Sequence, residues 1–241
     1  PDVLSISYYP RMENPYRIEA PATDQSAWLW PYQALLAQFG PQHWWPGGSP
    51  FEVMVGAVLT QNTAWPQVEQ AIAALKSADA LSPRALLALP TPALAALIRP
   101  AGTYQIKARR LQALCAFLDR EGVSVTPDRL AASLPLREAR QALLTVHGIG
   151  EETADAILLY ALNRPSFVVD AYTRRIFGRL GLLRGDESYA EIQHRFETAL
   201  PRDTVLYNDY HAQIVALGKR HCRPRPRCRD CPLLARCPSA R

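Results

Sequence analysis

The sequence predicts an all-α protein. Three observations carry that expectation: apolar residues recur at helical spacing from Trp28 onward, proline and glycine punctuate the chain into short segments, and no run sustains the alternation of a strand. Taken in order, Phe51 to Leu59 is an apolar segment, Val68 to Leu75 is amphipathic, and Pro83 to Leu89 and Pro92 to Ile98 are Ala/Leu helices with proline in the first turn. Lys107 to Leu118 and Leu136 to Val146 follow, then the turn His147-Gly148-Ile149-Gly150. Beyond it, Glu151 to Leu162 places Ala154, Ile157, Leu158, Ala161 and Leu162 on one stripe, which predicts a core-facing helix. Arg164-Pro165 marks a boundary, because proline disfavours helix in the residue before it, and the chain is expected to run extended through Phe167, Val168 and Val169.

The 241 residues are 48% hydrophobic and 20% charged, which excludes a disordered chain and is enough for one large or two small cores. The longest apolar run, Val53 to Leu59, falls far short of the roughly 18 residues that span a bilayer, so no membrane partner is expected. Residues 1–25 are read as a loosely ordered arm; lacking the apolar core of a signal peptide, they point to a cytoplasmic protein. The net charge of +5 is unevenly placed: Lys219 to Arg241 carries +7 and the remainder −2. A positive segment this dense suits either a polyanion or a solvated tail. Lysine is scarce, with only Lys76, Lys107 and Lys219, so an amine nucleophile has few candidates.

Three constellations bear chemistry. Cys222, Cys228, Cys231 and Cys237 crowd into sixteen residues. Disulfides are disfavoured without an export signal, and one Cys-x2-Cys pair flanked by single cysteines fits a compact iron-sulfur cluster better than the paired knuckles of zinc. Cys115 reads instead as a packed core thiol. In the second, Gly148 and Gly150 open backbone conformations that could aim N–H groups at an anion, although tight helical hairpins also use glycine for steric reasons. In the third, Asp170 precedes Ala171 to Phe177 as a helix N-cap, and it lies twenty residues beyond Gly150, room for a helix and a return strand.

Hairpin turn, following aspartate and four-cysteine run, in that order, resemble the endonuclease III-like helix-hairpin-helix DNA glycosylases over nearly the whole chain. Val58-Leu59-Thr60-Gln61-Asn62-Thr63 is similar to the family segment whose glutamine fills the gap left by a flipped nucleotide. Gly102-Thr103-Tyr104-Gln105-Ile106-Lys107-Ala108 is similar to the loop bearing a second wedge, with Thr103 where a bulky apolar residue is common. His147 stands where the best-known members have proline, Asp170 falls on the catalytic aspartate, and the first cysteine spacing is one residue shorter than usual. The resemblance implies a 4Fe-4S cluster on the four cysteines and two helical domains flanking a DNA-binding cleft. Residues 46–164 would form a six-helix domain containing the hairpin, and 26–45 with 165–241 the cluster domain.

One departure bears on mechanism. Bifunctional members carry a lysine two residues after the Gly-x-Gly turn, where it attacks the sugar to form a Schiff base; here that residue is Glu152. The expected protein is therefore a monofunctional DNA N-glycosylase of base excision repair, nucleoid-associated and monomeric. Its substrate would be double-stranded DNA containing damaged bases, alkylated purines or oxidised pyrimidines. Catalysis is expected from Asp170, with Glu152 at the lysine position, and DNA contacts from Gln61, Thr103, Gly148, Gly150, Arg223, Arg225 and Arg227. Trp44, Trp45 and Trp65 are read as core or as walls of a pocket for a cationic purine. A bifunctional glycosylase/AP lyase, a catalytically silent damage binder and a zinc-ribbon adaptor are the alternatives.

Overall fold

The structure, a computed structural model, describes residues 24–240; most of the predicted N-terminal arm lies outside them. The described residues are helical without a strand, and no helix among them is long and apolar enough to cross a membrane. They divide into two compact units, one of residues 45–164 and one joining 24–44 to 165–240.

The first unit is built around α2 (Pro50–Leu59). Ser49 caps it by accepting from the Glu52 N–H at 3.1 Å, Pro50 supplies the preset first turn, and Phe51 to Leu59 are all buried. A helix buried on every side has to be central, and α3 (Trp65–Ser77) and α6 (Tyr104–Arg120) pack on it. Two short helices, α4 (Pro83–Ala88) and α5 (Thr91–Leu97), cover α6. Gly56 lets the Trp45 ring approach within 3.1 Å of where a Cβ would stand, and Trp45 also meets the rings of Trp65 and Tyr160. Cys115 is buried on α6, and burial pushes its thiol up to about 12, as suits a packing residue.

The hairpin follows α7 (Arg129–Ser133) and joins α8 (Leu136–Leu144) to α9 (Glu151–Ala156). The chain does not stay α-helical to Leu162: Ile157–Ala161 widens into a π turn that packs on α2, and Leu162 donates five residues back to Ile157. Arg140 locks the two hairpin helices by a bidentate pair with buried Asp155, Nε to Oδ1 2.8 Å and Nη2 to Oδ2 2.9 Å.

The second unit holds α1 (Asp24–Phe39), α10 (Ala171–Arg179), α11 (Tyr189–Ala199), α12 (Thr204–Arg220) and the cysteine loop. Its core is aromatic. Trp28, Phe167, Phe177, Phe196 and Tyr210 interlock, Phe167 and Phe196 stacking at 4.0 Å, and the buried Tyr210 hydroxyl donates to the Trp28 carbonyl at 2.6 Å. The extended run Phe167 to Val169 is buried and therefore needs partners: Glu197 accepts from the Phe167 N–H, and Gln193 donates to the Phe167 carbonyl.

Candidate functional site

In the first unit, the turn after α2, the loop before α6 and the hairpin are tied together. Gln61 donates from Nε2 to the Gly148 carbonyl at 3.0 Å and to Thr153 Oγ1 at 2.9 Å, while its Oε1 accepts from Arg110. Gly148 has φ +85°, and a Cβ there would strike the Arg110 side chain at 2.3 Å, so both backbone and space demand glycine. Gly150 differs from the sequence expectation. Its φ of −93° and ψ of −178° are open to any residue, and a Cβ there would meet nothing within 4 Å. Intramolecular sterics therefore do not call for glycine at this N-cap.

Thr103 sits exposed at φ +39°, directly after Gly102 at φ +62°. A β-branched residue in the left-handed region is strained, and the surroundings must hold it there. The holder is Lys107. Its side chain is fully buried, and Nζ donates to the Leu59 carbonyl at 2.7 Å, the Ala101 carbonyl at 2.7 Å and Thr63 Oγ1 at 2.6 Å. One ammonium thus gathers the end of α2 and the start of the Gly102-Thr103 loop. Burial, and secondarily the charge of Arg110, bring Lys107 down to about 8. That would suit an amine nucleophile, yet all three of its donors are engaged inside the fold. Stranding each buried acceptor would cost about 1–3 kcal/mol, which marks Lys107 as structural.

Glu152 lies exposed in the first turn of α9 beside half-buried Glu151, where carboxylates favour the helix N-terminus.

In the second unit, Asp170 caps α10 from an extended backbone and is buried. Its Oδ1 accepts from the Thr173 N–H at 2.7 Å and from Thr173 Oγ1 at 2.8 Å, a reciprocal capping box; its Oδ2 lies 3.5 Å from His211 Nε2. Burial pushes the carboxyl up, but the His211 hydrogen bond and charge and the two Thr173 donors outweigh it, so its pKa lies below the ordinary carboxylate value. The capping expectation therefore accounts for one carboxylate oxygen and leaves the other facing His211.

The far end of α10 grips the cysteine loop. Arg175 Nε donates to the Cys222 carbonyl at 2.8 Å, and Arg179 donates to Cys222 Sγ at 3.3 Å and to the Arg223 and Pro224 carbonyls at 2.7 and 2.9 Å. Cys222, Cys228, Cys231 and Cys237 are all half-buried free thiols. No three His, Cys, Asp or Glu side chains among the described residues converge as they would on a single ion. Burial is the main cause that pushes the Cys231 thiol up. Four soft thiols within sixteen residues suit a multi-iron cluster in their donor chemistry.

Arg223, Arg225 and Arg227 are exposed on this loop, and Arg223 Nε also holds the Lys219 carbonyl at 2.7 Å. The three tryptophans do not act as one wall. Trp45 and Trp65 pack together in the first unit, whereas Trp44 in the second lies beside His211 and carries the Lys219 ammonium over its ring at 5.8 Å.

Residues 55–202 match the model of the HhH-GPD superfamily base excision DNA repair protein. The chain belongs to the HhH-GPD superfamily. It is 45% identical over 206 residues to a Methanocaldococcus jannaschii protein whose name is that of an inferred DNA repair glycosylase, covering 86% of this chain and 93% of that one. Among solved structures, a non-covalent endonuclease III–DNA complex superimposes with a TM-score of 0.76 at 26% identity, covering 91% of this chain and 97% of that one. The H. pylori 3-methyladenine DNA glycosylase bound to 1,N6-ethenoadenine gives 0.68 at 30% identity, covering 82% and 97%.

Sequence reasoning missed Arg110, His211 and Arg179, and it saw Lys107 only as a spare amine. Each acts through a partner more than 40 residues away, which no local pattern displays.

Proposed function

We propose that the protein is a monofunctional DNA N-glycosylase of base excision repair that acts as a monomer on double-stranded DNA, releasing alkylated purines or oxidised pyrimidines. The observation that carries this is Asp170: a buried carboxylate, kept ionised, with one oxygen held by the helix cap and the other set against His211. As the bond between sugar and base breaks, the electron pair leaves with the base and positive charge grows on the sugar. A fixed carboxylate stabilises that charge and orients the water that adds to the sugar carbon, the proton this water loses passing to the departed base.

The supporting parts follow the same logic. Flipping a base costs a few kcal/mol, least at damaged pairs, and a strained, exposed Thr103 with Gln61 would offset it by occupying the gap. Gln61 would exchange its hairpin hydrogen bonds to do so, and Gly148 and Gly150 would meet the backbone phosphates. The open space at Gly150 supports that role, since a ligand's close approach is a remaining reason for glycine. Arg223, Arg225 and Arg227 would add sequence-independent grip. Identity with the 3-methyladenine glycosylase supports the alkylpurine half of the substrate reading. Lys219 over Trp44 weighs against that ring as the receptor of a cationic base.

Cys222, Cys228, Cys231 and Cys237 would hold a 4Fe-4S cluster whose chemistry here is structural. Because Arg175 and Arg179 join the loop to the helix that Asp170 caps, ordering the loop orders the catalytic helix. The purified protein is expected to be yellow-brown with broad absorption near about 400 nm. Cys228→Ser should bleach it and lower its melting temperature. Zinc without iron on metal analysis would refute the assignment.

The reading is tested with duplexes each bearing one defined alkylated, oxidised or deaminated base, scored separately for base release and strand scission. Release without scission on an alkylated or oxidised base is the expected result. Tight binding without release on any duplex would make the protein a silent damage binder.

A further inference from the structure

We propose that His211 is a positioning residue for the reaction: Thr173 fixes one oxygen of Asp170 and the His211 imidazole fixes the other, so the carboxylate is held in one orientation and kept ionised. This rests on the reading of Asp170 as the carboxylate that faces the sugar.

The geometry supplies the argument. Asp170 and His211 belong to different helices, the N-cap of α10 and the middle of α12, and both are buried. A lone buried carboxylate would ordinarily take up a proton and lose the charge the reaction needs. The Thr173 N–H and hydroxyl both go to Oδ1, so the cap by itself leaves Oδ2 to rotate with the side chain. His211 Nε2, 3.5 Å from Oδ2, faces that oxygen and restricts the rotation.

The other charged groups nearby are engaged elsewhere. On α12, Asp209 accepts from the Gln42 N–H and from Gln213 Nε2, and the Lys219 ammonium lies over Trp44. On α10, Arg174 donates to the Glu187 carbonyl and Arg175 to the Cys222 carbonyl. Helix α1, packed on α12, brings Trp28, Tyr32 and Leu35 and has no charged residue beyond Asp24. His211 is therefore the titratable side chain set against Asp170 within this unit. A histidine is the side chain suited to this place, because it presents a compact donor in either protonation state.

Two measurements test it. The first follows the Asp170 carboxyl by carbon-13 NMR in wild type and His211→Phe and needs no activity; the midpoint should move up by about one pH unit or more in the variant. The second is single-turnover base release against pH. Here His211→Phe should lower the plateau at least about tenfold and carry the acid limb upward. His211→Gln, which keeps a neutral donor, should regain most of the plateau without the wild-type acid limb, and DNA affinity should stay unchanged in both. If His211→Phe does not fold, His211→Gln carries the same pair of readouts.

An Asp170 midpoint and an acid limb that ignore His211 would overturn the proposal. The two readings fail separately. Full base release by Asp170→Asn would remove the catalytic reading of Asp170 and the proposal with it, whereas its loss together with indifference to His211 would remove the positioning role alone.

Discussion

Asp170→Asn is expected to keep duplex binding within about twofold while single-turnover base release falls by about 10²–10³-fold or more. Asparagine is as good an N-cap as aspartate, and its carbonyl can take over Oδ1 and receive the Thr173 N–H and hydroxyl, so α10 should start where it does now. What disappears is one negative charge in a buried setting. Electrostatic stabilisation of a developing charge by one preorganised group is worth about 3–4 kcal/mol, and each 1.36 kcal/mol or so is a factor of ten in rate. A shape-preserving change with a large rate effect and a small binding effect is the pattern of an interaction made only in the transition state. There is also a consequence for stability. Since folding lowers the Asp170 pKa, ionised Asp170 contributes stability present above its unfolded pKa and lost as pH falls through the folded one. The variant's melting curve should therefore depend less on pH across that acid window. Unchanged turnover would reduce Asp170 to a helix cap.

The features readable from the sequence were the local ones. The stripe after the hairpin is core because its apolar spacing is helical, and the cap before Ala171 declares itself through an aspartate placed directly ahead of the helical run. Apolar periodicity does not delineate α11 and α12 individually. Helix α12 is buried on most of its circumference, from Leu206 to Gly218, so it offers no clean polar face to count. The π turn at Ile157–Ala161 was hidden for another reason: an apolar run fits either spacing, and only the packing against α2 distinguishes them. The pairing of Gly150 with Gly148 in sequence suggests a special backbone at both, yet of the two Gly148 alone has positive φ. Whether Trp44, Trp45 and Trp65 are core or pocket wall is equally beyond local reading, since adjacent Trp44 and Trp45 take different neighbours. Long-range polar partnerships such as Gln61 with Gly148, or Asp170 with His211, have no periodicity at all and emerge only from the fold.

Wild-type protein should leave intact abasic sites after base release, and borohydride should trap no covalent protein–DNA adduct. Trapping needs a primary amine that condenses with the opened sugar, losing water to give an imine that hydride then reduces. The three lysines are poorly placed for this. Lys76 pairs with Glu52 at 2.7 Å, Lys219 lies over Trp44, and Lys107 is fully buried with three acceptors on its Nζ. Lys107 has the lowered pKa a nucleophile wants, but releasing it would strand the carbonyls of Leu59 and Ala101 and let the Thr103 loop relax. Glu152, exposed in the first turn of α9, occupies the position where bifunctional relatives of the resembled family carry the lysine. Glu152→Lys should therefore create measurable trapping, at first weak, because the amine is restored on a rigid element while the surrounding groups have not been shaped to lower its pKa. The substitution also replaces a carboxylate at a helix N-terminus with a cation, so a stability loss of about 0.3–1 kcal/mol should accompany the gained chemistry. A lysine variant that folds and releases base but still traps nothing would show that position 152 does not reach the sugar. Robust trapping by the wild type would show that another amine performs lyase chemistry, and the monofunctional reading would fall.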